Sequence, residues 1–178
     1  TARTQENPFE TVSHANGARL IETTNDDGDG TPTAFSAFTI YGVEFHSATT
    51  HHYEGDRKLD LEAFLIHAVA VVESKKQMAM AGVFYLTHRG TLDTSECWRL
   101  ANKWECVEQW ADLLAYVDQR AVHDVDLFFP WAEFIELAND YGVYPRGQHP
   151  EDSLQRGLEE LGENLATSVD VYLLGGGN

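Results

Sequence analysis

The chain has 178 residues, of which 43% are hydrophobic, and this length and composition predict a folded domain rather than a disordered chain. Asp and Glu number 29 against 12 Lys and Arg, so the formal net charge is −17. Binding to nucleic acid or to an anionic membrane needs clustered cations, and this charge balance argues against both functions. No apolar run in the sequence approaches the roughly 18 residues that a membrane span requires.

The chain begins with a polar, mixed segment. We expect residues 1–16 to form a flexible N-terminal arm, residues 17–174 a single α+β domain, and residues 175–178 a flexible, glycine-rich tail. Within the domain, residues 17–24 predict a short strand. The following segment, 25–33, contains three Asp, two Gly and a Pro, and this composition predicts a loop.

The next part of the chain predicts two strands with a helix between them. Residues 34–45 place β-forming side chains at every second position from Phe35 to Phe45, which is typical of a strand. Apolar residues recur at three-four spacing over 59–75 and predict a helix. Residues 77–88 alternate again and predict another strand.

The second half of the chain is mostly helical in pattern. A long helix is expected over 93–120, because Asp93 is a suitable N-terminal cap and an apolar stripe follows it. Pro130 suits the first turn of another helix, which is expected to end near Gly142.

The last segments complete the predicted fold. Pro150 suits the start of a further helix, and residues 169–174 predict a short final strand. Strands come first and helices mostly follow, so the fold class is predicted as α+β. We expect a small, mainly antiparallel sheet, made of the N-terminal half plus a C-terminal strand, packed by three to four helices.

The two cysteines bear on the cellular compartment. Cys97 and Cys106 lie nine positions apart in one predicted helix, which separates them by roughly 13 Å and puts a disulfide out of reach. We therefore expect reduced, buried or half-buried thiols in a cytoplasmic protein.

The negative charge is concentrated in the C-terminal half. Residues 91–178 contain 17 acids and five bases, whereas residues 1–90 contain 12 acids and seven bases. On the predicted helices, acids recur at spacings of three and four residues, and like charges at that spacing destabilise a helix. The predicted partner-binding residues are Glu105, Glu108, Asp112, Glu133, Glu136, Asp140, Glu159, Glu160 and Glu163.

These acids favour one hypothesis about function. Seventeen charges correspond to about 29 Å of DNA duplex, and the domain should be roughly 40 Å wide, so acids gathered on one face would approach the charge density of DNA. The expected function is a non-enzymatic inhibitor that mimics nucleic acid and blocks the basic site of a nucleic-acid-binding protein or complex. Phage-encoded anti-restriction and anti-CRISPR proteins act in this manner on defence or DNA-processing complexes.

Three alternatives stay open. The acids could serve solubility alone, or the protein could be a structural, assembly or immunity protein. A metal-dependent hydrolase is the third, because His46, His51 and His52, followed by Glu54 and Asp56, form the densest cluster of metal-ligating residue types. Their spacing matches no established metal motif, and the sequence contains no nucleophile elbow and no phosphate-binding loop. We therefore expect no metal, no cofactor and no catalytic residue.

Overall fold

An antiparallel sheet packed by helices forms the α+β fold that the sequence predicts. The structure is a computed structural model that describes residues 9–24 and 30–145. The four strands in these residues are β1 (Phe9–Ala15), β2 (Ala18–Thr23), β3 (Thr31–Pro32) and β4 (Thr50–Glu54). They form one sheet with the spatial order β1-β2-β4-β3, and all neighbours are antiparallel.

Strands β1 and β2 form a hairpin. Asn16 and Gly17 connect them with φ angles of 44° and 81°, the left-handed pair that a tight two-residue hairpin turn needs. Strand β1 begins at Phe9, so the predicted arm over 1–16 contributes an edge strand to the sheet. The sheet therefore extends further towards the N-terminus than the sequence predicts.

The described residues contain six helices, more than the three to four predicted. The helices are α1 (Phe35–Phe38), α2 (Leu61–Val71), α3 (Lys75–His88), α4 (Thr94–Lys103), α5 (Val107–Val117) and α6 (Trp131–Asp140). Helix α2 packs against α1, α3, α4 and α5, and α3 packs against α1, α2, α5 and α6, so these two helices form the centre of the helical layer.

The strand predicted over 34–45 is wrong. This segment forms α1 and then a 3-10 turn. Phe35 and Phe38, three positions apart, are both buried, and the Phe38 ring stacks on Phe84 with centroids 4.1 Å apart. Phe35 and Phe38 lie on the same face only in a helical turn. Their burial on one face therefore favours the helix, although the sequence alternates with the period of two that is typical of a strand.

The strand predicted over 77–88 is also wrong, because this segment lies in helix α3. Every residue from Met78 to Tyr85 is buried, so α3 has no polar face and its sequence carries no helical period. Gly82 allows a close helix contact: a Cβ there would lie 3.1 Å from Cε2 of Phe134 in α6.

The single helix predicted over 93–120 is broken into α4 and α5. Asp93 is the cap that the sequence predicts, and its carboxylate accepts hydrogen bonds from the backbone N–H groups of Ser95 and Glu96. The break is at Glu105, whose φ of 55° is left-handed. It lets Trp104 and Cys106, on either side, both turn inward, with exposures of 3% each.

Helices α2 and α6 confirm the predictions over 59–75 and 130–142 within a few residues. The helix expected after Pro150, the strand over 169–174 and the tail over 175–178 lie outside the described residues. Among the residues described, no helix has both the length and the apolar character needed to cross a membrane.

Candidate functional site

Helix α6 presents a row of carboxylates to solvent. Its side chains Phe134 and Ala138 are fully buried, whereas Glu133, Glu136 and Asp140 are exposed on the opposite side of the helix. We call these three carboxylates the acidic face. Within the described part of the chain, none of the three takes part in a salt bridge. No described cation therefore competes with an external partner for the acidic face.

An aromatic cluster fixes α6 against the rest of the protein. Tyr116 of α5 contacts the rings of Trp131 and Phe134 at centroid distances of 5.4 and 5.3 Å. Its hydroxyl donates a hydrogen bond of 2.6 Å to the backbone oxygen of Phe129, just before α6. Burial, reinforced by the negative charge of Glu133, raises the pKa of Tyr116 to about 12, so the hydroxyl remains a donor at neutral pH. The acidic face thus lies on a helix that is held against α5 by these contacts.

Asp112 is buried rather than exposed, which differs from the exposed position that the predicted stripe requires. Its carboxylate is buried and accepts hydrogen bonds from the backbone N–H groups of His123 and Asp124, at 2.9 and 3.0 Å. The His123 imidazole lies 2.9 Å from the same carboxylate. Burial alone would raise the pKa of Asp112, but these hydrogen bonds lower it overall. Asp112 is the anchor that ties the loop after α5 back onto that helix.

Glu105 and Glu108 do not form one stripe with Asp112. Glu105 lies in the break between α4 and α5, and Glu108 lies in the first turn of α5. Both are exposed, but the predicted stripe needs a continuous helix and an exposed Asp112, and neither is present. Residues Glu159, Glu160 and Glu163 lie outside the described residues.

Two acids that the sequence analysis did not single out lie near the anchor. Asp124 and Asp126 are exposed in the loop that Asp112 holds. A signal for them was present in the sequence, because residues 121–145 contain five acids and no Lys or Arg. The described acidic region is therefore made of a loop and a helix, rather than of two helical stripes.

The structure does not bring the three candidate histidines together. His46 is exposed, whereas His51 and His52 are buried neighbours on β4 and so point to opposite faces of the sheet. Nε2 of His51 lies 3.5 Å from the carboxylate of Glu22, yet burial keeps the pKa of His51 below its usual value. Within the described residues, no group of three His, Cys, Asp or Glu side chains could hold a metal ion.

Comparison with known proteins finds no matching family model, no matching curated protein and no matching solved structure. The case for a function therefore rests on the charge and geometry described above.

Proposed function

We propose that this protein is a non-enzymatic binding protein that occupies the cationic nucleic-acid site of a defence or DNA-processing complex and thereby inhibits it. The observation that carries the proposal is the acidic face, three exposed carboxylates on one side of α6 that form no salt bridge with any residue the structure describes. Arg and Lys that normally hold phosphates would pair with these carboxylates through charge-assisted hydrogen bonds.

The spacing of the carboxylates supports this function. Successive members of the acidic face are three and four residues apart, which is about 4.5 and 6 Å along the helix axis. One DNA strand places a phosphate every ~3.4 Å along the duplex axis. A partner groove built for phosphates would therefore meet a charge density of similar order.

The energetic cost of the arrangement also favours an external role. Like charges at these spacings destabilise an isolated helix by a few tenths of a kcal/mol per pair, roughly 0.2–0.5. Between Glu105 and Asp140 the chain has nine acids and one base, Arg120. A cationic partner would relieve this repulsion and would be attracted over a long range at low salt.

The cysteines agree with a non-enzymatic, cytoplasmic protein. Cys97 and Cys106 are both free and buried. Burial raises the pKa of each thiol to about 12, so neither forms the thiolate that nucleophilic catalysis requires at neutral pH. Free thiols are typical of a reducing compartment.

The test is displacement of a labelled DNA duplex from purified restriction, CRISPR and DNA-processing complexes, followed by fluorescence anisotropy. The wild-type protein should displace the duplex from at least one complex, with a potency that falls as salt rises. The double variant Glu133→Lys/Glu136→Lys should need a concentration roughly ten times higher or more, because it turns two attractive contacts into repulsive ones.

A matched control separates the acidic face from net charge. Asp56→Lys/Glu73→Lys changes the net charge by the same amount at two exposed acids outside the C-terminal half. This control should displace DNA as the wild type does. Equal loss in both double variants, or no loss in either, would contradict a role for the acidic face.

A further inference from the structure

Four of the chain's 12 basic residues line one small cavity. The cavity has a volume of about 70 Å³ and lies between the segment that precedes α2 and one side of α4. Arg57 and Lys58 come from the segment before α2, and Arg99 and Lys103 come from α4. We call this cavity the cationic pocket. Such a concentration of cations needs a physical reason in a protein with a net charge of −17.

The acids in the pocket neutralise only part of its positive charge. Glu96 is engaged by Arg99, whose Nε donates a hydrogen bond of 2.7 Å to it. Asp60 caps α2 by accepting a hydrogen bond from the backbone N–H of Ala63. Two acids thus face four bases.

Three of the four cations form no salt bridge with a described residue. In the part of the chain that the structure describes, Arg57, Lys58 and Lys103 form no salt bridge. The pocket therefore keeps an excess of positive charge.

Mutual repulsion in the pocket is concentrated at Lys103. Burial and then the charges of Arg57 and Arg99 lower the pKa of Lys103. Its ammonium group also lies 5.7 Å from the centre of the Trp104 ring. A bound anion would remove this repulsion, since it would sit among cations that at present face one another.

Trp104 forms part of the wall of the pocket and is 3% exposed. Its ring closes one side of the cavity beside the Lys103 ammonium group.

The buried His67 in the wall adds no charge. Nδ1 of His67 is 2.7 Å from Oγ1 of Thr33, and burial together with the charge of Lys103 lowers the pKa of His67 to about 3. His67 is therefore neutral at physiological pH. The positive charge of the pocket comes entirely from its Lys and Arg side chains.

We infer that the cationic pocket binds a single phosphate group, either inorganic phosphate or the phosphate of a small monoester. A cavity of about 70 Å³ leaves room for one small oxyanion. Arg supplies forked donors and Lys a point charge, the two groups that phosphate sites use. This role is independent of the function proposed above, because no residue of the acidic face takes part.

The test is isothermal titration of the full-length protein with inorganic phosphate and, separately, with glycerol 3-phosphate, at a chloride concentration that keeps ionic strength constant. The wild-type protein should bind at least one of them. Lys103→Gln and Arg57→Gln should each weaken binding by roughly tenfold, because each removes a charged hydrogen bond. Binding of the ester alone would identify an organic phosphate as the ligand, and equal binding of both would identify the phosphate group itself.

Two further variants make the result specific. Lys75→Gln and Lys76→Gln remove exposed charges at the start of α3, outside the pocket, and should bind as the wild type does. The inference is overturned if neither ligand binds the wild-type protein, or if Lys103→Gln binds as tightly as Lys76→Gln.

Discussion

At the scale of single residues, the anchor formed by Asp112 shows that a buried charged side chain stabilises this fold. Two backbone N–H groups and the His123 imidazole converge on its carboxylate. The hydrogen bond to Asp112, followed by its negative charge, raises the pKa of His123. The two groups therefore stabilise each other's charged forms, and protonation of His123 is linked to folding.

The pH dependence of this link has a definite sign. A raised pKa in the folded state means that the stabilisation is fully present below the unfolded-state pKa of about 6.5 and is lost as pH rises through the folded-state pKa. We expect His123→Asn to be less stable than the wild type at low pH, and we expect this difference to shrink as pH rises. Urea denaturation of both proteins at about pH 6 and pH 8 measures it.

Comparing the two proteins at each pH is necessary because other histidines act in the opposite sense. Burial lowers the pKa values of His51 and His67, so both favour folding as pH rises. Their contribution is common to the two proteins and cancels in the difference. If the difference in stability between the wild type and His123→Asn stays constant or grows from pH 6 to pH 8, that result would contradict an ion pair between His123 and Asp112.

At the scale of secondary-structure elements, the contacts between α5 and α6 determine the position of the acidic face. Tyr116 links α5 to α6 through ring contacts and through its hydrogen bond to Phe129. Tyr116→Phe removes the hydroxyl and leaves the ring contacts. We expect a loss of about 1 kcal/mol in the free energy of unfolding, which is typical of one intramolecular hydrogen bond.

Chemical denaturation measures that loss, and hydrogen exchange of the α6 backbone N–H groups should increase in the same variant. Tyr41→Phe is the matched control, because Tyr41 is exposed and its hydroxyl makes no hydrogen bond within the described residues. Equal stability of Tyr116→Phe and the wild type would show that the hydroxyl does not help to hold α6.

The elements that the sequence predicts well are those with one polar and one apolar side or with a cap. Asp60 caps α2 and Pro130 precedes α6, and both helices are predicted within a few residues. The middle of helix α3, from Met78 to Tyr85, is buried on all sides, so nothing in its pattern separates a helix from a buried strand. Helix α1 has four residues, too few for a period to be recognised.

At the scale of the whole molecule, the sequence predicts the acidic region better than the role of each acid. Glu133, Glu136 and Asp140 could be predicted to share a face because the helix that contains them was predicted correctly. The burial of Asp112 could not be predicted, because it depends on the loop at His123 and Asp124 folding back onto α5. The cationic pocket could not be predicted either, because its bases are some 40 positions apart in the sequence.

Charge is therefore organised in two places on this protein. The acidic region follows Trp104 along the chain, whereas four cations gather at the pocket beside α2 and α4. A uniform surplus of acids for solubility would need neither arrangement. This separation of charge supports both proposals, a surface that binds a cationic partner and a separate pocket that binds an anion.

The central claim is that the acidic face makes the contact with a cationic partner, and chemical labelling of carboxylates tests it most directly. The protein is labelled with a carbodiimide and an amine, free and in complex with whichever assembly it displaces from DNA, and each site is quantified by mass spectrometry. Labelling of Glu133, Glu136 and Asp140 should fall sharply in the complex, while Asp56 and Glu73 stay labelled. Unchanged labelling of the acidic face, with protection at another surface, would contradict the claim.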